Sequence, residues 1–384
     1  MTATGGEAAL PLPAGARRGL ALRAGGSGGS GVRRAAGVLG SIVGLAAAGV
    51  AAGFAAERAL RRRRRTEQRD PRDPYRDEPF GELPADEYRT VTTGEGIPLH
   101  VEITGPPDAP VTVVFVHGFC LDMGTFHFQR KALSTLEGVR TVSYDQPGHG
   151  RSGRLAKGEY TLDMLGSALR KVLEECTSAQ SKVVLVGHSM GGMTIMALAD
   201  LAPEIFAPGG RVDGVCLIST AAGGVTFGLP QVLGRFRGQL LPLISSAGQV
   251  TGSVLDRARE ASSDLTWLLT RRYGFGSAHA SPALVSYVEQ MNAAMRTESL
   301  ARYLRTLYSH DRVMALSALK HIPVLVICGE EDQLTPVTHS RSLCEALPHA
   351  ELLVIDKGGH VALLEHCEVV NAALIPFLRT IEST

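Results

Sequence analysis

The sequence predicts an α/β protein built on a mostly parallel, eight-stranded β-sheet that is flanked by helices. Eight short runs rich in β-branched residues begin at residue 88, and the later runs alternate with amphipathic stretches such as 160–176 and 190–201. This alternation is typical of right-handed crossovers between parallel strands. The predicted strands are Tyr88–Thr92, Leu99–Thr104, Val111–His117, Val139–Asp145, Val183–His188, Val212–Ser219, Val324–Gly329 and Glu351–Ile355.

Two parts of this pattern depart from simple alternation. The first two strands follow each other closely and suit a hairpin at the edge of the sheet. Residues 222–315 lack a clear strand but carry apolar residues at helical spacing, such as Leu240, Leu241 and Ile244. We therefore predict a helical cap inserted between strands six and seven, within one catalytic domain over 86–384.

Charge and cysteine usage exclude some classes of protein. The net charge is +1, but residues 1–85 hold 14 basic and 8 acidic residues, so the remainder is mildly acidic. A mildly acidic body is a poor match to a phosphate backbone, and we expect no nucleic-acid partner. The six cysteines show no CxxC pair and no zinc-ligand spacing, which favours reduced core thiols.

The N-terminal 85 residues differ in composition from the rest of the chain. Residues 1–34 are rich in Gly, Ala, Pro, Ser and Arg without apolar periodicity and are predicted to be disordered. Residues 35–56 carry no charge over 22 positions, although nine are Ala and five are Gly. That length predicts a transmembrane helix, with a cleaved signal peptide and an Ala-rich soluble helix as the alternatives. Residues 57–85 are expected to form a basic, Pro-rich tether.

The arginines that flank residues 35–56 predict an orientation for such an anchor. Near the segment, three arginines lie on the N-terminal side (Arg23, Arg33 and Arg34) and seven on the C-terminal side (Arg58, Arg61 to Arg65 and Arg69). Because the more basic flank stays in the cytoplasm, the expected localisation is a single-pass protein of the cell membrane with its catalytic domain in the cytoplasm. Secretion is the alternative.

A nucleophile elbow is indicated by the sequence GHSMG over residues 187–191. A predicted strand precedes it and a helix-forming run, Met193–Leu201, follows it. In this strand–turn–helix motif the serine sits on a tight, strained turn, and the flanking glycines avoid a clash of Cβ atoms with the backbone. Ser189 is therefore the predicted nucleophile.

Two later segments supply a base and an acid in the order Ser…Asp…His. Asp332 follows strand seven in GEEDQLTP, and His360 follows strand eight in DKGGHVALLEH. Both come just after the carboxyl ends of strands, where an open α/β sheet gathers its active site. We predict His360 as the base and Asp332 as the acid that orients it.

Each of these assignments has competitors nearby in the sequence. Glu330 and Glu331 precede Asp332, but we interpret them as solvated turn residues, because Asp332 is the one followed by a polar turn and a Pro-initiated helix. His366 competes with His360, but it lies on a helix after an apolar run, which suits a surface or packed side chain.

An oxyanion hole requires two backbone N–H donors. Met190 follows the nucleophile and is expected to supply one. The second is expected from the loop after strand three, HGFC over residues 117–120, and is assigned to Phe119.

The blocks VVFVHGF, SYDQPGHGRSG, VGHSMGG, GEEDQLTP and GGHVALLEH together resemble the successive signatures of the α/β-hydrolase superfamily over about 86–384. The resemblance suggests its actinobacterial esterase, lipase and cofactor-free haloperoxidase-like branch. It implies that Asp145 and His149 belong to a structural turn, while His117 and His188 are strand-end residues that support the site. Cys120 beside the oxyanion loop and the N-terminal segment are not part of the common pattern.

The sequence therefore predicts a serine hydrolase that cleaves a hydrophobic carboxylic ester through an acyl-enzyme and requires no metal and no organic cofactor. A serine in the elbow excludes the hydrolases that use an aspartate nucleophile there. Thioester hydrolysis, C–C bond hydrolysis and acyl transfer share the same residues, and a non-catalytic module that binds a lipophilic ligand is a further alternative. The apolar cap, with Phe227 and Phe236 among its candidates, is expected to select the acyl or alcohol group.

Overall fold

The computed structural model describes residues 71–225, 270–277 and 279–383. Within these residues the chain forms one eight-stranded sheet. Its strands are β1 (Glu87–Thr92), β2 (Pro98–Thr104), β3 (Val111–Val116), β4 (Val139–Tyr144), β5 (Lys182–His188), β6 (Gly214–Ile218), β7 (Val324–Gly329) and β8 (Glu351–Ile355). Each boundary lies within two residues of its prediction, and the fold class predicted from the sequence is confirmed.

The strands lie in the order β1-β2-β4-β3-β5-β6-β7-β8. Strand β2 pairs antiparallel with β1 and β4, and every other pairing is parallel. Every residue of β3, β6 and β7 is buried, as expected for parallel strands that are covered by helices on both faces. The parallel arrangement brings the carboxyl ends of β3, β5, β7 and β8 to one edge of the sheet.

Helices connect and flank these strands. They include α1 (His127–Leu133), α2 (Leu162–Cys176), α3 (Met190–Leu201), α4 (Pro282–Ala294), α5 (Thr297–Tyr308), α6 (Val337–Ala346), α7 (Ala362–Glu365) and α8 (Cys367–Glu382). Short 3-10 helices occur at Met123–Phe126, Pro203–Phe206 and Val313–His321. Thr161 caps α2, because its side chain accepts a hydrogen bond from the Met164 N–H.

The helices cover the two faces of the sheet with separate apolar cores. Helices α2 and α3 pack on one face, and they approach so closely that a Cβ atom at Gly166 would lie 2.9 Å from the backbone N of Leu198. Helices α1, α4 and α8 contribute to the core on the other face, which includes Phe115, Phe126 and Phe377. Packing on both faces holds the sheet in place, including the edge that carries the candidate site.

The segment between β6 and β7 is an insertion whose two ends meet. Gly223 and Asp311 form an antiparallel bridge, and the Arg312 N–H donates to the Ala222 carbonyl over 2.6 Å. Helices α4 and α5 belong to this insertion, which agrees with the helical cap expected over 222–315. Phe227 and Phe236 lie outside the described residues.

Residues 71–84 are the described part of the basic, Pro-rich tether expected over 57–85. They form turns that contact the domain built on the sheet: the aromatic rings of Tyr75 and Phe80 pack against its second core. Glu78 accepts hydrogen bonds from His127 and Lys131 of α1. Aromatic burial of this kind gives the segment a fixed place, which charge and proline content alone did not indicate.

The expected membrane anchor is corrected. None of the helices in the part of the chain that the structure describes is long and apolar enough to cross a bilayer. Residues 35–56 and the expected disordered segment 1–34 lie outside that part. The physical weakness of the prediction is compositional, since Ala and Gly supply 14 of the 22 positions and bury little apolar surface per residue. The predictions of a transmembrane helix, a membrane partner and a single-pass localisation are accordingly withdrawn, because no described helix supports them.

Candidate active site

Ser189 lies on a strained turn between β5 and α3. Its backbone has φ 52° and ψ −116°, a left-handed region that L-residues rarely occupy. A Cβ atom at Gly191 would lie 1.8 Å from the Val116 carbonyl oxygen, and one at Gly187 would lie 2.7 Å from the Gly192 nitrogen. Only glycine can occupy these two positions in this geometry, so the elbow predicted from the sequence has its steric explanation in the backbones of β3 and α3.

A chain of hydrogen bonds joins the three predicted catalytic side chains. The Nε2 atom of His360 lies 2.9 Å from Oγ of Ser189, and its Nδ1 atom lies 2.9 Å from Oδ2 of Asp332. All three residues are at most 6% exposed. Their sequence separation is large, and the carboxyl ends of β5, β7 and β8 bring them together.

The Asp332 carboxylate is held by several donors besides His360. Its Oδ1 atom accepts from the backbone N–H groups of Leu334 and Thr335, each over 2.9 Å, and its Oδ2 atom accepts from the Thr335 hydroxyl over 2.8 Å. Burial alone would raise the pKa of Asp332, but the neighbouring His360 and the donors of Thr335 outweigh it and lower that pKa. The carboxylate is therefore ionised at neutral pH.

The competing residues lie elsewhere. Glu330 and Glu331 are exposed to solvent at the end of β7, whereas Asp332 is buried. His366 lies between α7 and α8, and in the described residues no hydrogen bond joins it to Ser189 or Asp332. In the described residues, none of the three competitors joins the hydrogen-bonded chain of Asp332, His360 and Ser189.

Of the two expected oxyanion donors, Met190 directly follows the nucleophile and Phe119 belongs to a loop beside it. The loop after β3 passes against Ser189, since a Cβ atom at Gly118 would lie 3.2 Å from the Ser189 Cβ. Within the described residues, the backbone N–H groups of Phe119 and Met190 donate to no protein acceptor. Both N–H groups therefore remain the predicted donors to an oxyanion formed beside Ser189.

Three buried histidines around the site are held in a neutral state. Burial lowers the pKa of His117 to about 4, that of His149 to about 3 and that of His188 to about 3. Each ring has at least one nitrogen hydrogen-bonded to a fixed partner, and His117 Nε2 accepts from the Gln146 N–H over 2.8 Å. His188 Nε2 lies 2.9 Å from the His360 carbonyl oxygen, so it can brace the loop of the candidate base.

Asp145 is also engaged in structural contacts. Its carboxylate accepts from the backbone N–H groups of Met123 and Arg151 over 2.9 and 2.8 Å. A Cβ atom at Gly150 would lie 2.3 Å from the same carboxylate. These contacts agree with the structural turn implied by the family resemblance.

Sequence reasoning missed two residues that shape this site. Thr335 directly precedes the proline of the predicted helix start, and its hydroxyl contacts both Asp332 and His360 Nδ1, the latter at 3.3 Å. Glu365 lies five residues after His360, and its carboxylate accepts from the N–H groups of Gly276, Ser277 and Gly359 at 2.8–3.0 Å. The position of Thr335, three residues after the acid, was a usable signal in the sequence. Glu365 has no such local signal, because two of its donors belong to the cap.

Comparison with known proteins establishes the family. Residues 111–366 match the alpha/beta hydrolase fold family. With the topology and elbow described above, this match shows that the chain belongs to the α/β-hydrolase fold family. The expected actinobacterial branch stays a prediction.

Several characterised proteins are similar to this chain. It is 31% identical over 287 residues to the dihydrolipoyllysine-residue acetyltransferase component of the acetoin cleaving system of Pseudomonas putida, covering 72% of this chain but 65% of that protein. It is 29% identical over 289 residues to the pimeloyl-[acyl-carrier protein] methyl ester esterase of Xanthomonas oryzae pv. oryzae, covering 74% of this chain and all of that enzyme. A thermophilic esterase from Thermogutta terrifontis shares the fold with a TM-score of 0.59 at 23% identity, over 77% of this chain and 99% of its own.

Proposed function

We propose that this protein is a serine hydrolase that cleaves a hydrophobic carboxylic ester through an acyl-enzyme intermediate. The observation that carries the proposal is the hydrogen-bonded chain Asp332–His360–Ser189 at the carboxyl edge of the sheet. The Xanthomonas relative is named as a methyl ester esterase, which supports ester hydrolysis as the class of reaction. The proposed catalytic domain spans 86–384 with its cap at about 222–315.

In the first step Ser189 attacks the carbonyl carbon of the ester while His360 accepts the hydroxyl proton at Nε2. Asp332 keeps a proton on Nδ1 of His360, which leaves Nε2 able to accept, and its charge stabilises the imidazolium that forms. His360 then donates its new proton to the departing alkoxide oxygen, so the alcohol leaves and the acyl group stays on Ser189.

The N–H groups of Phe119 and Met190 are proposed to donate hydrogen bonds to the carbonyl oxygen as negative charge develops on it. Fixed donors of this kind stabilise the tetrahedral intermediate without reorganising during the reaction, and removal of one typically costs about 10²–10³ in rate. In the second step His360 activates water, which attacks the acyl-enzyme and releases the acid.

The cap is proposed to select the substrate and to take no part in the chemical step. Tyr303 of α5 lies 5.6 Å, between ring centroids, from Phe119, and Cys120 Sγ lies 3.3 Å from Met295 Sδ just after α4. These apolar contacts border the candidate oxyanion loop, so an acyl or alcohol chain bound there would meet apolar side chains. Each methylene buried in such a pocket adds about 0.8 kcal/mol of binding.

Acyl transfer is the second candidate, because the Pseudomonas relative is named as an acetyltransferase component. The same acyl-enzyme would then be attacked by an alcohol or thiol acceptor instead of water. The two functions differ only in what enters the site in the second step.

The test is labelling of the full chain with a fluorophosphonate probe, followed by hydrolysis of p-nitrophenyl esters of increasing chain length. We expect labelling of the wild-type protein, loss of labelling in Ser189→Ala, and a fall in turnover on the order of 10⁶. Labelling of Ser189→Ala at the wild-type rate would refute the nucleophile. Addition of alcohol and thiol acceptors to the assay separates transfer from hydrolysis, since a transferase forms the acylated acceptor in preference to the free acid.

A further inference from the structure

A short segment ahead of the sheet contacts both the body and the cap. We call residues 73–80 the N-terminal strap. It lies outside the residues that match the α/β-hydrolase fold family, 111–366, so the family pattern does not account for it.

Asp73 of the N-terminal strap binds the first turn of α4. Its Oδ1 atom accepts from the Ser281 hydroxyl over 2.6 Å, and its Oδ2 atom accepts from the Ala283 N–H over 2.9 Å. Ser281 is itself the N-cap of α4 and accepts from the Leu284 N–H. A carboxylate at this position satisfies N–H groups that a helix start leaves without partners and complements the positive end of the helix dipole.

Phe80 joins the same helix to the body. Its ring stacks on Tyr287 of α4, with centroids 4.4 Å apart and planes 20° apart. It also contacts the rings of His127 and Phe128 in α1, at 5.0 and 5.9 Å. One aromatic ring therefore ties the cap helix to a helix that follows the oxyanion loop.

Helix α4 and the residue that follows it contact two points of the segment 119–126, which comprises the loop after β3 and the 3-10 helix Met123–Phe126. The Tyr287 hydroxyl donates to the Gly124 carbonyl over 3.0 Å, and Met295 lies against Cys120, the neighbour of Phe119. Cys120 has a positive φ of 58°, so the loop holds a conformation that its own sequence does not favour. Neighbouring contacts must hold it there.

We propose that Asp73 and Phe80 are positioning residues that act through α4 on the loop carrying the oxyanion donor Phe119. The expected change in kcat rests on the proposed hydrolase function, whereas the expected change in the structure of the loop does not. Because the donor acts on the transition state rather than on the bound ester, loosening the strap lowers kcat and leaves KM nearly unchanged.

The experiment compares Asp73→Ala, Asp73→Asn and Phe80→Ala with Asp77→Ala in the full chain. Asp77 is an exposed carboxylate of the same segment and serves as the matched control. We expect kcat for a short ester to fall about five- to tenfold in Asp73→Ala and Phe80→Ala, less than the loss of a whole donor, with KM within about twofold. Asp73→Asn keeps one acceptor oxygen and should recover part of kcat, and Asp77→Ala should match the wild type.

Amide hydrogen exchange gives a readout that does not depend on activity. Amides of residues 118–126 should exchange faster in Asp73→Ala than in Asp77→Ala or the wild type, while those of β5 and β6 should not change. Unchanged exchange in the loop would overturn the proposal, as would an unchanged kcat or a KM that rises as much as kcat falls. If the wild-type chain had no esterase activity but the loop amides still exchanged faster in Asp73→Ala, the proposed function would be refuted. The structural role of the N-terminal strap would then stand.

Discussion

Oδ2 of Asp332 lies 2.9 Å from Nδ1 of His360, although 28 residues separate them along the chain. The contact forms because β7 and β8 are parallel neighbours that end at the same edge of the sheet. This pair leads to the first prediction.

Asp332→Asn should lower kcat by about 10⁴, because an amide places a donor where the carboxylate accepts and no longer fixes the His360 tautomer. Glu330→Gln and Glu331→Gln are the matched controls, since both side chains are exposed at the same turn. Steady-state ester hydrolysis by the three variants checks the assignment. If a glutamine variant lost more activity than Asp332→Asn, the acid would be wrongly assigned.

Glu365→Gln should lower both the stability and the turnover of the enzyme. Its amide nitrogen would face backbone N–H groups that now donate to a carboxylate, and loss of such charge-assisted bonds costs about 1–3 kcal/mol. We expect a several-fold fall in kcat as well, since Gly359 directly precedes His360. Urea unfolding and kinetics should be compared with Glu368→Gln, an exposed position on α8, for which no change is expected.

Asp122 should make the stability depend on pH. Burial and the neighbouring Asp145 raise the pKa of Asp122 to about 6, above its ordinary value of 3.8. The native protein therefore holds this proton more tightly than the unfolded chain does, so the stabilisation is complete below pH 3.8 and is lost as the pH rises through about 6.

The test compares the free energy of urea unfolding of Asp122→Asn with that of the wild type at pH 4.5 and at pH 7. Asparagine keeps an acceptor for the Gly124 N–H, the hydrogen bond by which Asp122 caps the turn at Met123–Phe126. We expect the free energy of unfolding of the variant, relative to that of the wild type, to rise by roughly 2 kcal/mol from the lower to the higher pH. A difference that is constant with pH would contradict the raised pKa.

Gly191→Ala should prevent stable folding of the elbow. The added Cβ atom would lie 1.8 Å from the Val116 carbonyl oxygen, and backbone of a central strand cannot move aside as a side chain can. A loss of about 3 kcal/mol or more in the free energy of unfolding is expected from such overpacking. Gly94→Ala is the control, because a Cβ atom at Gly94 would meet no atom within 4 Å, and thermal unfolding of both variants provides the comparison.

Local sequence determined much of this protein. Strands such as Val324–Gly329 are short, β-branched and buried, so composition alone indicates them. The elbow at Ser189 is also local, because its turn needs glycine at fixed offsets. Asp332 and His360 follow from their positions after strands, since parallel strands end at one edge.

Only the tertiary structure decided the rest. Asp73 and Glu365 act on partners some 210 and 90 residues away along the chain, and no local pattern encodes such a distance. The charge and proline content of residues 57–85 suggested a tether, whereas aromatic packing of Tyr75 and Phe80 fixes part of that segment. The uncharged run at 35–56 suggested a membrane helix from its length alone. Periodicity and composition indicate whether a segment can bury an apolar face. They do not indicate which surface it packs against, because the rest of the chain forms that surface.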